Sequence, residues 1–180
     1  MRANSRVLSS KTVYKGKVVT IKVEKVIEPG GVKATRELVC HSGSVVVLPH
    51  LADGRLLLVR QYRHAAGRSL WELVAGGIEQ GETPNEAARR ELTEETGYCT
   101  SHLTPLFDFY PSPGVLTERM FLVEARELTL SKAQPESDER IRVGRFTRRQ
   151  VKAMLAAGKI KDGKTLAGLY WLLSTPYRKR

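Results

Sequence analysis

Between residues 11 and 40 the apolar side chains fall at alternate positions: Val13, Val18-Val19, Ile21 and Val23, then Ala34, Leu38 and Val39 beyond Glu28-Pro29-Gly30-Gly31. Period-two alternation on either side of a Pro-Gly-Gly break predicts a strand, a turn and a second strand. A sheet this small is marginal by itself and needs another surface to cover it. The next apolar runs, residues 44–49 and 55–61, flank the turn dipeptide Asp53-Gly54 and predict a hairpin that begins the main sheet. Residues 70–74 read as another strand, ending just before Ala75 and a pair of glycines, and residues 106–110, 120–124 and 141–146 read as three more. Apolar spacing changes to a helical period over residues 150–157 and 166–173. No internal repeat or low-complexity stretch interrupts this order.

The segment after strand 70–74 carries chemistry. Gly76 is followed after five residues by Glu82 and, after seven more, by Arg90-Glu91-Leu92-Thr93-Glu94-Glu95-Thr96-Gly97-Tyr98. Thr83 can cap orphan amides and Pro84 has the backbone angle of a first helical position, so a helix is predicted to start near Pro84. Residues 85–95 are mostly strong helix formers, and Gly97 tolerates the left-handed backbone that ends a helix. Residues three and four apart share a helix face, which groups Glu91, Glu94 and Glu95. Like charges at that spacing destabilise an isolated helix, and a hard divalent cation would remove the conflict. Mg²⁺ takes carboxylate and carbonyl oxygens, keeps waters, and is shared with substrate phosphates instead of being closed in a protein cage. The plainer reading of the same glutamates is a solvated helix face.

These intervals fill every fixed position of the Nudix box, and the chain resembles a Nudix hydrolase, more narrowly the ADP-ribose pyrophosphatase branch. The resemblance implies an α/β Nudix fold, a mixed β-sheet sandwiched between helices, with a small antiparallel N-terminal sheet. It divides the chain into residues 1–42, a β-sheet region that makes a homodimer, and residues 43–180, the hydrolase domain. Packing of the small sheet on its own domain is the alternative to a dimer. The implied metal ligands are Glu91, Glu95 and the carbonyl of Ala75, with Glu82 and Glu94 assisting and Arg90 orienting a glutamate through an ion pair. The implied cation is Mg²⁺, with Mn²⁺ as a substitute. Ions beside a pyrophosphate polarise phosphoryl oxygens and acidify water, so hydrolysis of a diphosphate linkage is the expected reaction.

Residues outside the box narrow the substrate. Pro113, fifteen residues after Tyr98 and inside Tyr110-Pro111-Ser112-Pro113-Gly114, matches a proline of the ADP-ribose pyrophosphatases, though a plain interstrand loop would look the same. Arg36-Glu37 matches a pair that binds the adenine end; a cross-strand ion pair is the alternative. Gln61-Tyr62-Arg63 matches the strand whose arginine contacts the pyrophosphate, a role suited to a planar bidentate donor. A general base is expected in Glu136-Ser137-Asp138-Glu139, with Glu139 aligning best and Glu136 and Asp138 as competitors. Several relatives place an aromatic residue after the N-terminal glycine to stack on adenine; here Gly16-Lys17 is followed by Val18, with Tyr14 as a substitute. The segment from Lys161 to Leu169 resembles a recurrent family feature and reads as structural. The expected substrate is ADP-ribose, cleaved to AMP and ribose 5-phosphate, with GDP-mannose or another sugar nucleotide as the alternative.

Composition changes this picture at one point. With 180 residues, 41% hydrophobic and 27% charged, the chain is an ordinary globular protein. Two cysteines, Cys40 and Cys99, form no disulfide scaffold or zinc spacing. No apolar run approaches a membrane span and no signal-type segment opens the chain, so a cytoplasmic protein is expected. The net charge of +11 is unusual, and nine Lys or Arg between Arg140 and Lys164 face one acid, Asp162. That excess can steer an anionic substrate or make the protein a nucleic-acid-binding module. Phe146 is the lone aromatic residue in the stretch, whereas single-strand binders interleave aromatic and basic residues.

Overall fold

A computed structural model describes residues 5–131 and 140–175. Its contacts separate two compact units, one of residues 1–43 with 110–119 and one of residues 44–109 with 120–180. In the first unit β1 (Arg6–Lys15), β2 (Thr20–Ile27) and β3 (Lys33–Cys40) form an antiparallel sheet in that order. Gly30 and Gly31, with φ of +84° and +82°, make the turn after β2 that the Pro-Gly-Gly break indicates. The alternation pointed to two strands, and three are present. The extra one, β1, is rich in Ser, Lys and Thr, exposed along its whole length, and shifts register at two places against β2, so it carries no clean alternation.

In the second unit the strands are β4 (Ser44–Pro49), β5 (Leu56–Arg63), β6 (Arg68–Glu72), β7 (Val74–Gly77), β8 (Tyr98–Cys99), β9 (His102–Phe109), β10 (Met120–Arg126), β11 (Thr129–Leu130) and β12 (Arg142–Phe146). The helices are α1 (Pro84–Thr96), α2 (Arg148–Ala156) and α3 (Gly163–Ser174). A mixed sheet runs β7-β4-β10-β9, with β4 and β10 parallel, and an antiparallel sheet runs β12-β5-β6. β8 and β11 pair separately.

The expected hairpin of residues 44–61 does not form. β4 and β5 lie in different sheets and meet at an isolated bridge between His50 and Leu56. Val45–Leu48 and Leu56–Val59 are buried on both faces, so each strand takes partners from its own sheet whatever the turn between them. The expected strand 70–74 also divides, at Leu73. Its N–H donates to Thr165 Oγ1 of α3 at 2.8 Å, and the chain passes there from one sheet to the other.

Alternate side chains of β4 and β5 build two core layers. Val45, Val47, Leu57 and Val59 pack with Ala87, Ala88 and Leu92 of α1. Val46, Leu48, Leu56 and Leu58 pack with Val151 and Leu155 of α2 and Leu169 and Leu172 of α3. Truncating one of these leucines to alanine costs about 2–5 kcal/mol. The sheets thus stand between α1 and the α2–α3 pair, which fixes α1 against β7. No helix among the described residues is long and apolar enough to cross a membrane.

Candidate active site

α1 is held at both ends by its own sequence. Thr83 Oγ1 accepts from the Glu86 amide at 3.3 Å while Glu86 Oε2 accepts from the Thr83 amide at 2.8 Å, and Pro84 occupies the first turn. Gly97 closes the helix with φ +71° and donates to the Thr93 carbonyl at 2.9 Å. With Ala87, Ala88 and Leu92 turned into the core, Glu95 is carried inward as well, to 4% exposure. Glu91 and Glu94 stay nearer the surface, with side-chain exposures of 13% and 31%.

Arg90 gathers the carboxylates. Its Nε and Nη2 donate to Glu82 Oε1 and Oε2, both at 2.9 Å, and Nη2 also reaches the Gly77 carbonyl at 2.9 Å. Nη1 donates to Glu91 Oε1 at 2.6 Å and Glu94 Oε2 at 3.2 Å. Hydrogen bonds from Arg90, joined by the Glu79 amide, hold the Glu82 carboxyl below the usual carboxylate range, although partial burial opposes them. The same contacts push the Arg90 guanidinium further above its already high value. One permanent cation therefore offsets the repulsion that the helix spacing creates.

A Cβ at Gly76 would collide with the Glu91 carboxylate. The glycine thus lets that carboxylate lie against the backbone of β7, next in sequence to Ala75. These oxygens suit a hard cation. Among the described residues no three acidic or imidazole side chains converge to enclose an ion. A cation here would rest on one or two carboxylates, on carbonyl oxygen and on non-protein oxygens, the manner in which Mg²⁺ is commonly held.

A second ionic cluster borders the strand break at Leu73. Arg63 donates through Nε and Nη2 to Glu72 at 2.9 and 2.8 Å. Lys164 Nζ donates to the same carboxylate at 2.6 Å and to Asp162 at 2.9 Å. The hydrogen bonds from Glu72 raise the Arg63 guanidinium above its ordinary value against the effect of burial, and Glu95 acts on it in the same direction. The sequence assigns Glu72 no role and makes the segment that holds Lys164 read as structural. The available signal was an acid inside the apolar strand Leu70-Trp71-Glu72-Leu73-Val74, where a buried charge requires partners.

The remaining candidates belong to the first unit or lie outside the described residues. Arg36 forms a two-pronged ion pair with Glu28, at 2.8 and 2.9 Å, and Glu37 is exposed opposite Val23. Pro113 sits exposed in a turn where the Leu116 amide donates to the Ser112 carbonyl. The Tyr14 ring lies over Gly16, and Val18 is 68% exposed. Glu136, Asp138 and Glu139 fall outside the described residues.

A family model for the NUDIX domain matches residues 41–168, which spans both the carboxylate helix and the sheets that hold it. The chain belongs to the NUDIX family. It is 34% identical to the ADP-ribose pyrophosphatase of Bacillus subtilis strain 168, over 93% of this chain and 91% of that one. A methanol dehydrogenase activator of Bacillus methanolicus is 31% identical over the same shares. The crystal structure of an ADP compounds hydrolase superposes with a TM-score of 0.82 over 94% of this chain and 92% of that one, at 23% identity, a likeness of fold. As a NUDIX protein the chain is a hydrolase, and the Gly76–Tyr98 segment that resembles the family's box lies within the matched residues.

Proposed function

We propose that this chain is a Mg²⁺-dependent hydrolase that cleaves ADP-ribose to AMP and ribose 5-phosphate, and that it acts as a cytoplasmic homodimer. The observation that carries the reading is the gathering of Glu82, Glu91 and Glu94 by Arg90, with buried Glu95 beside them and Gly76 making room for Glu91. Glu91, Glu95 and the Ala75 carbonyl would hold the cation, with Glu82 and Glu94 assisting. Once bound, the cation supplies positive charge to phosphoryl oxygens and acidifies the attacking water. Arg63 presents a partly exposed guanidinium to a phosphate of the substrate. Glu139 takes the proton of water as its oxygen bonds to phosphorus. The bridging P–O bond breaks, and the departing group leaves as a phosphate monoester. Arg36, Glu37 and Pro113 belong to recognition of the nucleoside and the second half of the substrate.

The first unit supports the dimer. Val7, Val13, Tyr14 and Val18 are 52%, 52%, 56% and 68% exposed, an apolar surface that a second copy would cover. The substrate is tested by offering purified protein ADP-ribose, GDP-mannose and other sugar nucleotides with Mg²⁺ and separating the products. The expected result is AMP from ADP-ribose with the highest kcat/KM of the set. Faster cleavage of GDP-mannose would reassign the substrate. No cleavage at all, with tight RNA binding at moderate salt, would make the protein a binding module.

A further inference from the structure

We infer that Glu72 and Lys164 are positioning residues that act through Arg63, holding its guanidinium as a pre-set donor for the substrate diphosphate. This inference rests on the assignment of Arg63 to the substrate made above. Glu72 has no solvent exposure, and a carboxylate in such a place is tolerated only when paired. Its Oε1 accepts from Arg63 Nε at 2.9 Å; its Oε2 accepts from Arg63 Nη2 at 2.8 Å and from Lys164 Nζ at 2.6 Å. Lys164 is tied in turn to Asp162 Oδ1 at 2.9 Å, and Asp162 Oδ2 accepts from the Thr165 amide and hydroxyl at 3.0 and 2.6 Å. Thr165 then accepts from the Leu73 amide, so the chain of contacts runs from β5 through β6 into α3.

The two carboxylates and two cations balance in charge, and their side-chain exposures rise from 0% at Glu72 through 11% at Lys164 and 16% at Asp162 to 40% at Arg63. The network therefore opens to solvent at the guanidinium. Among the described residues Arg63 Nη1 has no hydrogen-bond partner, while Nε and Nη2 are fixed by Glu72. Glu95 of the box helix acts electrostatically on that guanidinium, so its charge is felt at the carboxylate site. Stability alone does not call for four ionised groups, because well-packed apolar residues commonly hold such a place as firmly. What ions add is direction: a two-pronged carboxylate sets the plane of a guanidinium and leaves its other edge ready to donate.

The test is a set of mutant cycles read by calorimetric titration of ADP in chelator-treated buffer and by steady-state hydrolysis of ADP-ribose. Arg63→Ala is expected to weaken ADP binding and raise KM by about 10- to 100-fold, the value of charge-assisted hydrogen bonds. Glu72→Gln in the wild-type background is expected to weaken both by about 10-fold while changing kcat less than about 3-fold. In the Arg63→Ala background the same change should have an effect below about 2-fold, because its route is already gone. Lys164→Met should shift KM in the same direction as Glu72→Gln, and it decides the matter should Glu72→Gln not fold.

An equal loss in both backgrounds, or a lowered melting temperature with KM unchanged, would make the network merely structural and overturn the inference. Should Arg63→Ala leave ADP binding and KM unchanged, the assignment of Arg63 to the substrate fails and the inference with it. Should Arg63→Ala weaken binding while neither Glu72→Gln nor Lys164→Met does, the inference alone fails.

Discussion

At Gly76 the absence of a single methyl group decides where a carboxylate can lie. Gly76→Ala puts a Cβ into the Glu91 carboxylate, which is the far end of a flexible side chain and can swing aside. The fold is therefore expected to survive with little change in melting temperature, while turnover falls at least about 100-fold, as misplacing a reacting group by about an ångström does. Full activity in the alanine variant would show that Glu91 works from another position. Gly76 and the glutamates were legible in the sequence because their intervals satisfy a loop, a helix and a cap together. Glu72 was not legible as a partner of Arg63 and Lys164. The contact with Lys164 joins residues 92 apart in sequence, and both contacts border a strand break that the apolar pattern conceals.

Among the elements, α2, α3 and most of the longer strands of the second unit followed from apolar pattern and α1 from its caps, while β1, the break at Leu73 and the strand pairing did not. α1 begins after Thr83 and ends at Gly97, as its capping residues require. Residues 44–49 and 56–63 are strands as their composition demands, but a run buried on both faces says nothing about its neighbours. The end of the β4–β10 pair gives a test of how these buried elements respond to acid. His50, just after β4, has Nε2 3.0 Å from Glu124 Oε1 of β10. Burial holds its imidazole below the ordinary 6.5, helped by Arg126 and Arg148 and opposed by Glu124. The unfolded chain therefore takes up this proton more readily than the folded one, so the contribution of His50 to stability is present above pH 6.5 and is lost as pH falls below it. The melting temperature of the wild type should drop more steeply between about pH 7 and 5 than that of His50→Gln, the proton uptake being the linkage. Parallel curves would show that His50 does not set the slope.

For the whole molecule, the division into two units leaves the apolar residues of β1 and the turn after it uncovered within the first unit, and covering that surface is the role proposed for a second copy. Light scattering after size exclusion should give the mass of two chains for the wild type and of one chain after Val13→Lys with Val18→Lys. A wild-type monomer at tens of micromolar would leave the exposed sheet without that explanation. The net charge of +11 belongs to this scale too: on the proposed reading it would steer an anionic diphosphate toward the site.

In the proposed reaction the acids of α1 and the cation they would hold break a diphosphate. Phosphorus NMR of ADP-ribose with the protein and Mg²⁺ follows that bond directly. The diphosphate resonances should give way to those of two phosphate monoesters, AMP and ribose 5-phosphate, and Glu95→Gln should halt the conversion while the protein stays folded. Diphosphate signals that persist with the wild type, or that vanish equally fast with Glu95→Gln, would contradict it.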